Sequence, residues 1–140
     1  MFQLVYVSVA VSPFSEVALR ALLTFARARN TARGITGVLL YQNDSFMQAL
    51  EGERAVVEEI FAKIQRDPRH RDVRVLSRAV VASRNFGDWS MGFVDVRAAA
   101  IALPGFRSDA EFQDLAGDTA SIQRVIDGFR DGSWQQLQTR

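Results

Sequence analysis

Residues 34–52, GITGVLLYQNDSFMQALEG, read as a β-hairpin. Ile35 and the run Val38 to Tyr41 are β-branched, aromatic or apolar, as a strand requires. Gln42-Asn43-Asp44-Ser45 is a polar break rich in turn formers. Phe46, Met47, Ala49 and Leu50 then carry a second apolar run, interrupted by the carboxamide of Gln48. Strand side chains alternate, so Gln48 shares a face with Phe46 and Leu50 and opposes Met47 and Ala49. Two environments are open to it. On a core face its donors and acceptor need partners; on a half-solvated sheet they need only water.

Working outward, residues 2–10, FQLVYVSVA, are apolar on both alternating faces, which suggests a central strand covered on both sides. Tyr6 lies on the face of Phe2 and Leu4, where a buried phenol needs a partner, the backbone being the commonest. Ser12-Pro13 predicts a helix start, with Ser12 as N-cap and Pro13 in the first turn. The helix is expected to run to about Arg29, and Asn30 is a natural stop because it tolerates the left-handed conformation. After the hairpin, Val56, Val57, Ile60, Phe61 and Ile64 are spaced for a helix over 54–66. Asp67-Pro68 stops it, and residues 69–72 read as a polar linker. Residues 73–82 and 89–96 read as two further strands, joined by a loop over 83–88.

The order βαββαββ predicts an α+β ferredoxin-like sandwich, a five-stranded mixed sheet with two helices on one face. Residues 1–96 form this domain. Residues 97–140 form a C-terminal helical extension, with helices expected over 108–115 and 119–129 and a break at Pro104-Gly105. Its apolar spacing suggests packing on the open sheet face or on a partner.

Composition narrows the function. The chain has 140 residues, 48% hydrophobic and 24% charged, ordinary for one soluble globular domain. No cysteine is present, which excludes disulfides, thiolate catalysis and zinc–cysteine sites and fits a cytoplasmic location. No run of ~18 uncharged apolar residues predicts a membrane span, and no signal peptide is expected. The net charge is +1, with Lys63 the single lysine and His70 the single histidine. The arginines are dispersed, so no direct nucleic-acid binding is expected, and one histidine excludes multi-histidine metal sites.

The topology makes the first and third strands adjacent, so Tyr6 and Gln48 can be neighbours on one face, with Asn30 ending the helix that covers it. Trp89 and Met91 share a face of the last strand. A phenol, two carboxamides, an indole and a thioether lack a strong base, a metal and an activated nucleophile, so no enzyme is expected. They suit a flat heterocycle with donors and acceptors on one edge.

The motifs L-V-Y-x-S at 4–8, N-x-x-x-G-I-T-G at 30–37, F-x-Q-x-L-E-G at 46–52, D-x-R-H at 67–70 and F-x-x-W-S-M at 86–91 together resemble the BLUF family, blue-light sensors that bind FAD. The resemblance covers residues 2–96. It implies that Tyr6 is the photoactive tyrosine and that Gln48 stands between it and the flavin. It implies that Asn30 bonds the ring edge and that Trp89 and Met91 transmit the signal. Further cofactor contacts are implied at Arg29, Ser8, Ile35, Lys63, Asp67, Arg69, His70 and Arg71. Arg29 departs from the asparagine or histidine of many relatives, and Lys63 from their arginine.

The resemblance also implies the mechanism. An electron from Tyr6 acidifies its phenol, the proton follows through Gln48, and the rearranged hydrogen bonds shift the absorption slightly to the red. The signal then passes to a separate output protein, such as a cyclic-dinucleotide phosphodiesterase or a transcription regulator, and a homodimer or higher oligomer is expected. Two alternatives compete: a flavin-binding interaction module without photochemistry, which Tyr6 and Gln48 argue against, and an acylphosphatase-like hydrolase. The loop Val11-Ser12-Pro13 lacks the glycine and arginine that such a hydrolase needs.

Overall fold

The computed structural model describes residues 1–42, 44–84, 90–95 and 138–139. Its elements are β1 (Phe2–Ala10), α1 (Glu16–Arg33), β2 (Thr36–Gln42), β3 (Ser45–Gly52), α2 (Arg54–Gln65), β4 (His70–Val80), β5 (Gly92–Asp95) and β6 (Gln138–Thr139). They form one sheet in the order β4-β1-β3-β2-β5-β6. Neighbouring strands are antiparallel except β2 and β5, which run parallel, so the sheet is mixed. This is the expected ferredoxin-like sandwich, with one added two-residue strand, β6, within the stretch read as a helical extension. The helices expected over 108–115 and 119–129, and the docking of the tail, lie outside the described residues.

Both helices cover one face of the sheet. Leu19, Leu23 and Ala26 of α1 and Val57, Ile60 and Phe61 of α2 pack with Phe2, Leu4, Tyr6, Leu39, Phe46 and Leu50 in one buried cluster. The apolar residues of the opposite face, among them Val5, Val7, Val38, Leu40, Met47 and Ala49, are buried too. That matches a β1 whose two faces are both apolar. A polar network also lies on this second face. The buried Glu51 carboxylate accepts from Gln3 Nε2 and from Thr36 Oγ1, each at 3.1 Å, and so links β1, β2 and β3.

Several boundaries differ from the sequence reading. The last strand, expected over 89–96, begins only at Gly92, so Met91 lies just ahead of it rather than on it, and β4 ends at Val80 rather than at 82. The N-cap of α1 is Ser15, not Ser12: its Oγ accepts from the Ala18 N–H at 3.0 Å, and Pro13 precedes the helix. The helix continues past Asn30 to Arg33, because Gly34 at φ +69° supplies the left-handed cap. The Ile35 N–H then closes the end on the Asn30 carbonyl at 2.9 Å. Finally, β4 begins at His70 rather than at 73. Asp72 takes φ +54° close to a register shift opposite Val7–Val9, and this bulge lets the edge strand absorb the polar linker.

The hairpin is tight. Asp44 takes φ +62° in the turn, and its carboxylate accepts from the Tyr41 hydroxyl at 2.7 Å. Gly37 lies so close to β3 that an added Cβ would sit 2.1 Å from the Ala49 carbonyl oxygen. Glycine is what allows β2 to approach β3 at that point.

Candidate flavin site

The site is built on the two central strands. The β1/β3 register sets Tyr6 directly opposite Gln48, so both side chains rise from the same face. Gln48 is 5% exposed, which settles its environment: it faces the core. The Tyr6 hydroxyl donates to Gln48 Oε1, so the phenol's partner is a side chain rather than the backbone. Gln48 Nε2 in turn points at Met91 Sδ, 3.6 Å away. A thioether is a weak acceptor, so the amide keeps donor capacity for a better one. Burial pushes the Tyr6 phenol above its usual value, the nearby Arg29 cation pulls it partly back, and Asp67 adds a smaller upward push. Tyr6 is therefore a neutral donor at physiological pH.

Helix α1 supplies the second wall. Asn30 is fully buried inside the helix rather than at its end. Its Nδ2 donates to the Ser90 carbonyl at 2.6 Å, and its Oδ1 accepts from Arg29 Nε and Nη2 at 3.2 and 3.1 Å. Desolvation lowers the Arg29 pKa from its usual value, and at high pH, where Tyr6 ionises, its phenolate opposes that shift. One turn earlier, Arg27 Nε donates to the Met91 carbonyl at 2.9 Å. Met91 itself is 1% exposed.

The third wall is the stretch from α2 into β4. His70 Nε2 donates to the Ile64 carbonyl at 2.5 Å, and its Nδ1 stands 2.8 Å from the buried Ser8 Oγ. His70 thus ties the end of α2 to β1. Asp67 and Arg69 form a local pair, with Arg69 Nη2 2.6 Å from Asp67 Oδ2. The Arg69 hydrogen bond holds the Asp67 carboxyl below the usual range, and the same contact raises Arg69.

These walls enclose a cavity of about 270 Å³. Tyr6 and Gln48 line it, with Phe14, Leu22, Phe25, Ala26, Leu39, Phe46 and Ile64 as apolar walls and Arg29, Lys63, Asp67, Arg69 and His70 as its charged or polar lining. Ile35 sits in the buried core, and Arg71 pairs at the surface with Asp72. Trp89 lies outside the described residues. The sequence reading did not single out the walls contributed by Leu22, Phe25 and Ala26. Their spacing with Arg29 at i, i+3, i+4 and i+7 was the available signal, but it also describes an ordinary core stripe.

The family BLUF, "Sensors of blue-light using FAD", matches residues 1–92. The chain belongs to the BLUF family. It is 38% identical over 89 residues to photoactivated adenylate cyclase subunit beta of Euglena longa; that match covers 63% of this chain and 10% of that protein. Among solved structures, the dark state of BlrB, a BLUF protein, aligns at TM-score 0.73 with 26% identity, covering 97% of this chain and 96% of that one. BlrP1 of Klebsiella pneumoniae, in a complex with manganese and cyclic diGMP, aligns at TM-score 0.68 with 31% identity, covering 95% of this chain and 33% of that one. The matched region spans about a tenth of the curated cyclase, so that protein's activity does not transfer with the BLUF domain.

A BLUF domain is a photosensor rather than a catalyst, and FAD is its cofactor. The cavity fits that group. Its apolar walls and size, close to the ~300 Å³ lower end of ligand pockets, suit a flat ring system. Tyr6 and Gln48 give it one hydrogen-bonding edge. Arg29, Lys63 and Arg69 outnumber the single carboxylate, Asp67, as a phosphate-bearing ligand requires. Among the described residues, no helix is long and apolar enough to cross a membrane.

Proposed function

We propose that Tyr6 and Gln48 are the photochemical pair of this blue-light sensor and that Met91 carries the change into β5. The chain Tyr6 hydroxyl, Gln48 carboxamide and Met91 thioether supports this reading, because it joins the pocket to the segment entering β5 through three buried side chains. When bound, FAD supplies the chromophore and becomes a strong oxidant on absorbing blue light. Tyr6 would be the electron donor to that oxidant, and its hydroxyl proton would pass to the carboxamide it already bonds. Gln48 suits the relay because one amide both accepts and donates. When both the electron and the proton have returned to Tyr6, Gln48 can settle with its oxygen and nitrogen exchanged. The bonds to Tyr6, Met91 and the chromophore edge then differ from those in the dark.

The other pocket residues have supporting roles. Asn30 and Arg29 order the edge of the site next to residues 90–91. Ser8 and His70 brace the wall between β1 and α2. Lys63, Asp67 and Arg69 accommodate the phosphate-bearing arm, with Arg71 farther out, and Ile35 packs beneath β2 and β3. Trp89 belongs to the same transmitting segment as Met91. Residues 97–140 form an extension beyond the sensor domain, and the output is a separate partner protein in the cytoplasm. The cyclic-diGMP complex of the similar BlrP1 favours an enzyme of cyclic-dinucleotide metabolism as that partner. The sensor acts as a dimer, the commonest closed assembly.

Gln48→Leu tests the relay. It removes both donors and the acceptor at nearly constant volume. The FAD band should remain and its light-induced red shift should vanish. A surviving red shift would show that another group carries the proton.

A further inference from the structure

We propose that Arg27 is a positioning residue that anchors the entry of β5 to α1, fixing the dark arrangement against which a change at Gln48 is registered. The inference rests on the roles given above to Gln48 and Met91. Arg27 and Asn30 are three residues apart and therefore neighbours on one face of α1. They donate to consecutive carbonyls, Arg27 Nε to Met91 at 2.9 Å and Asn30 Nδ2 to Ser90 at 2.6 Å. The strand ladder begins only at Gly92, paired with Val38. The carbonyls of residues 90 and 91 thus lie just ahead of the β2–β5 ladder and are held by helix side chains.

Met91 is gripped twice. Gln48 Nε2 contacts its sulfur, and Arg27 holds its carbonyl. The first contact is weak and changes with the state of Gln48; the second is charge-assisted and does not involve the cofactor. With the carbonyl fixed, a change at the sulfur is confined to the side chain. It reaches the strand only when the Arg27 bond is strained or broken. Arg27 therefore sets how firmly β5 is held in the dark and how much of its motion depends on light. Part of the guanidinium is desolvated, which lowers its pKa, but arginine remains charged across the physiological range.

Hydrogen exchange of the full FAD-loaded protein, read on the peptide containing residues 90–95 in the dark and under blue light, tests the proposal. Arg27→Gln removes the charged donor, and Arg27→Lys restores a cation at the same place. In the dark, Arg27→Gln should exchange roughly tenfold faster at β5, in line with loss of one charged hydrogen bond, while β1 and β3 keep their protection. Its light-minus-dark difference should shrink, with the red shift intact in amplitude. Arg27→Lys should recover part of the dark protection. Unchanged dark exchange at β5 in both variants would overturn the proposal, as would a loss of protection spread evenly over the sheet. The dark comparison needs no photochemistry. A wild-type protein without a red shift would therefore refute the photosensory reading and leave the anchor still testable.

Discussion

Replacing Tyr6 with Phe removes one oxygen atom and leaves the ring where it is. The ring is buried and packs on Phe61, with centroids 5.3 Å apart, so its dispersion and area terms survive. What is lost is the hydrogen bond to Gln48 Oε1. That acceptor belongs to a residue only 5% exposed, so water does not readily replace the phenol. Leaving a buried polar group without its partner costs ~1–3 kcal/mol, and removing the hydroxyl's own desolvation offsets part of this, for a net loss of ~1–2 kcal/mol. With a urea m-value of ~2 kcal/mol/M, the unfolding midpoint should fall by roughly 0.5–1 M. The photochemical effect is larger in kind. Phe has no hydroxyl proton to release, so the variant should bind FAD and show no red shift. Urea unfolding and paired dark and light spectra on one preparation separate the two effects. A normal red shift in Tyr6→Phe would refute the role of the phenol, and an unchanged midpoint would refute the buried hydrogen bond.

Three further outcomes follow from other parts of the fold. Gly37→Ala places a Cβ against the Ala49 carbonyl, a backbone atom that cannot turn aside, and should cost ~1–3 kcal/mol in thermal or denaturant unfolding. Glu51→Leu deprives Gln3 Nε2 and Thr36 Oγ1 of their carboxylate partner on the second sheet face; it should destabilise by ~1–3 kcal/mol while the red shift persists. Burial raises the Tyr6 phenol in the folded state, so its stabilising effect is complete below the ordinary phenol value of ~10 and is lost as pH rises from there through the higher folded value. Alkaline unfolding of wild type should accordingly be steeper than that of Tyr6→Phe, as read by circular dichroism against pH.

The sequence made the architecture legible because its hydrophobic periods were clean. The hairpin's alternation placed Gln48 on the face of Phe46 and Leu50, and the split topology placed it beside Tyr6; the register pairs those two residues. Asn30 was found for a reason that proved incomplete. Its composition suggested a helix end, but Gly34 caps the helix and Asn30 spends its polar groups on Arg29 and Ser90. Ser12 and Ser15 are equally good caps by type, and only the packed geometry chooses Ser15. Arg27 carried no signal at all. A cation on an amphipathic helix reads as solvated until a carbonyl from residue 91 is brought under it. The apolar pocket walls were similarly hidden, since a stripe that lines a cavity and one that fills a core have the same period.

The most direct test is the absorption spectrum of the purified, FAD-loaded protein in the dark, after blue light, and during recovery. A structured flavin band that moves slightly to the red in light and returns in the dark is the predicted result. A band that bleaches or does not move would contradict the Tyr6–Gln48 photocycle, and failure to take up FAD at all would contradict the assignment of the cavity.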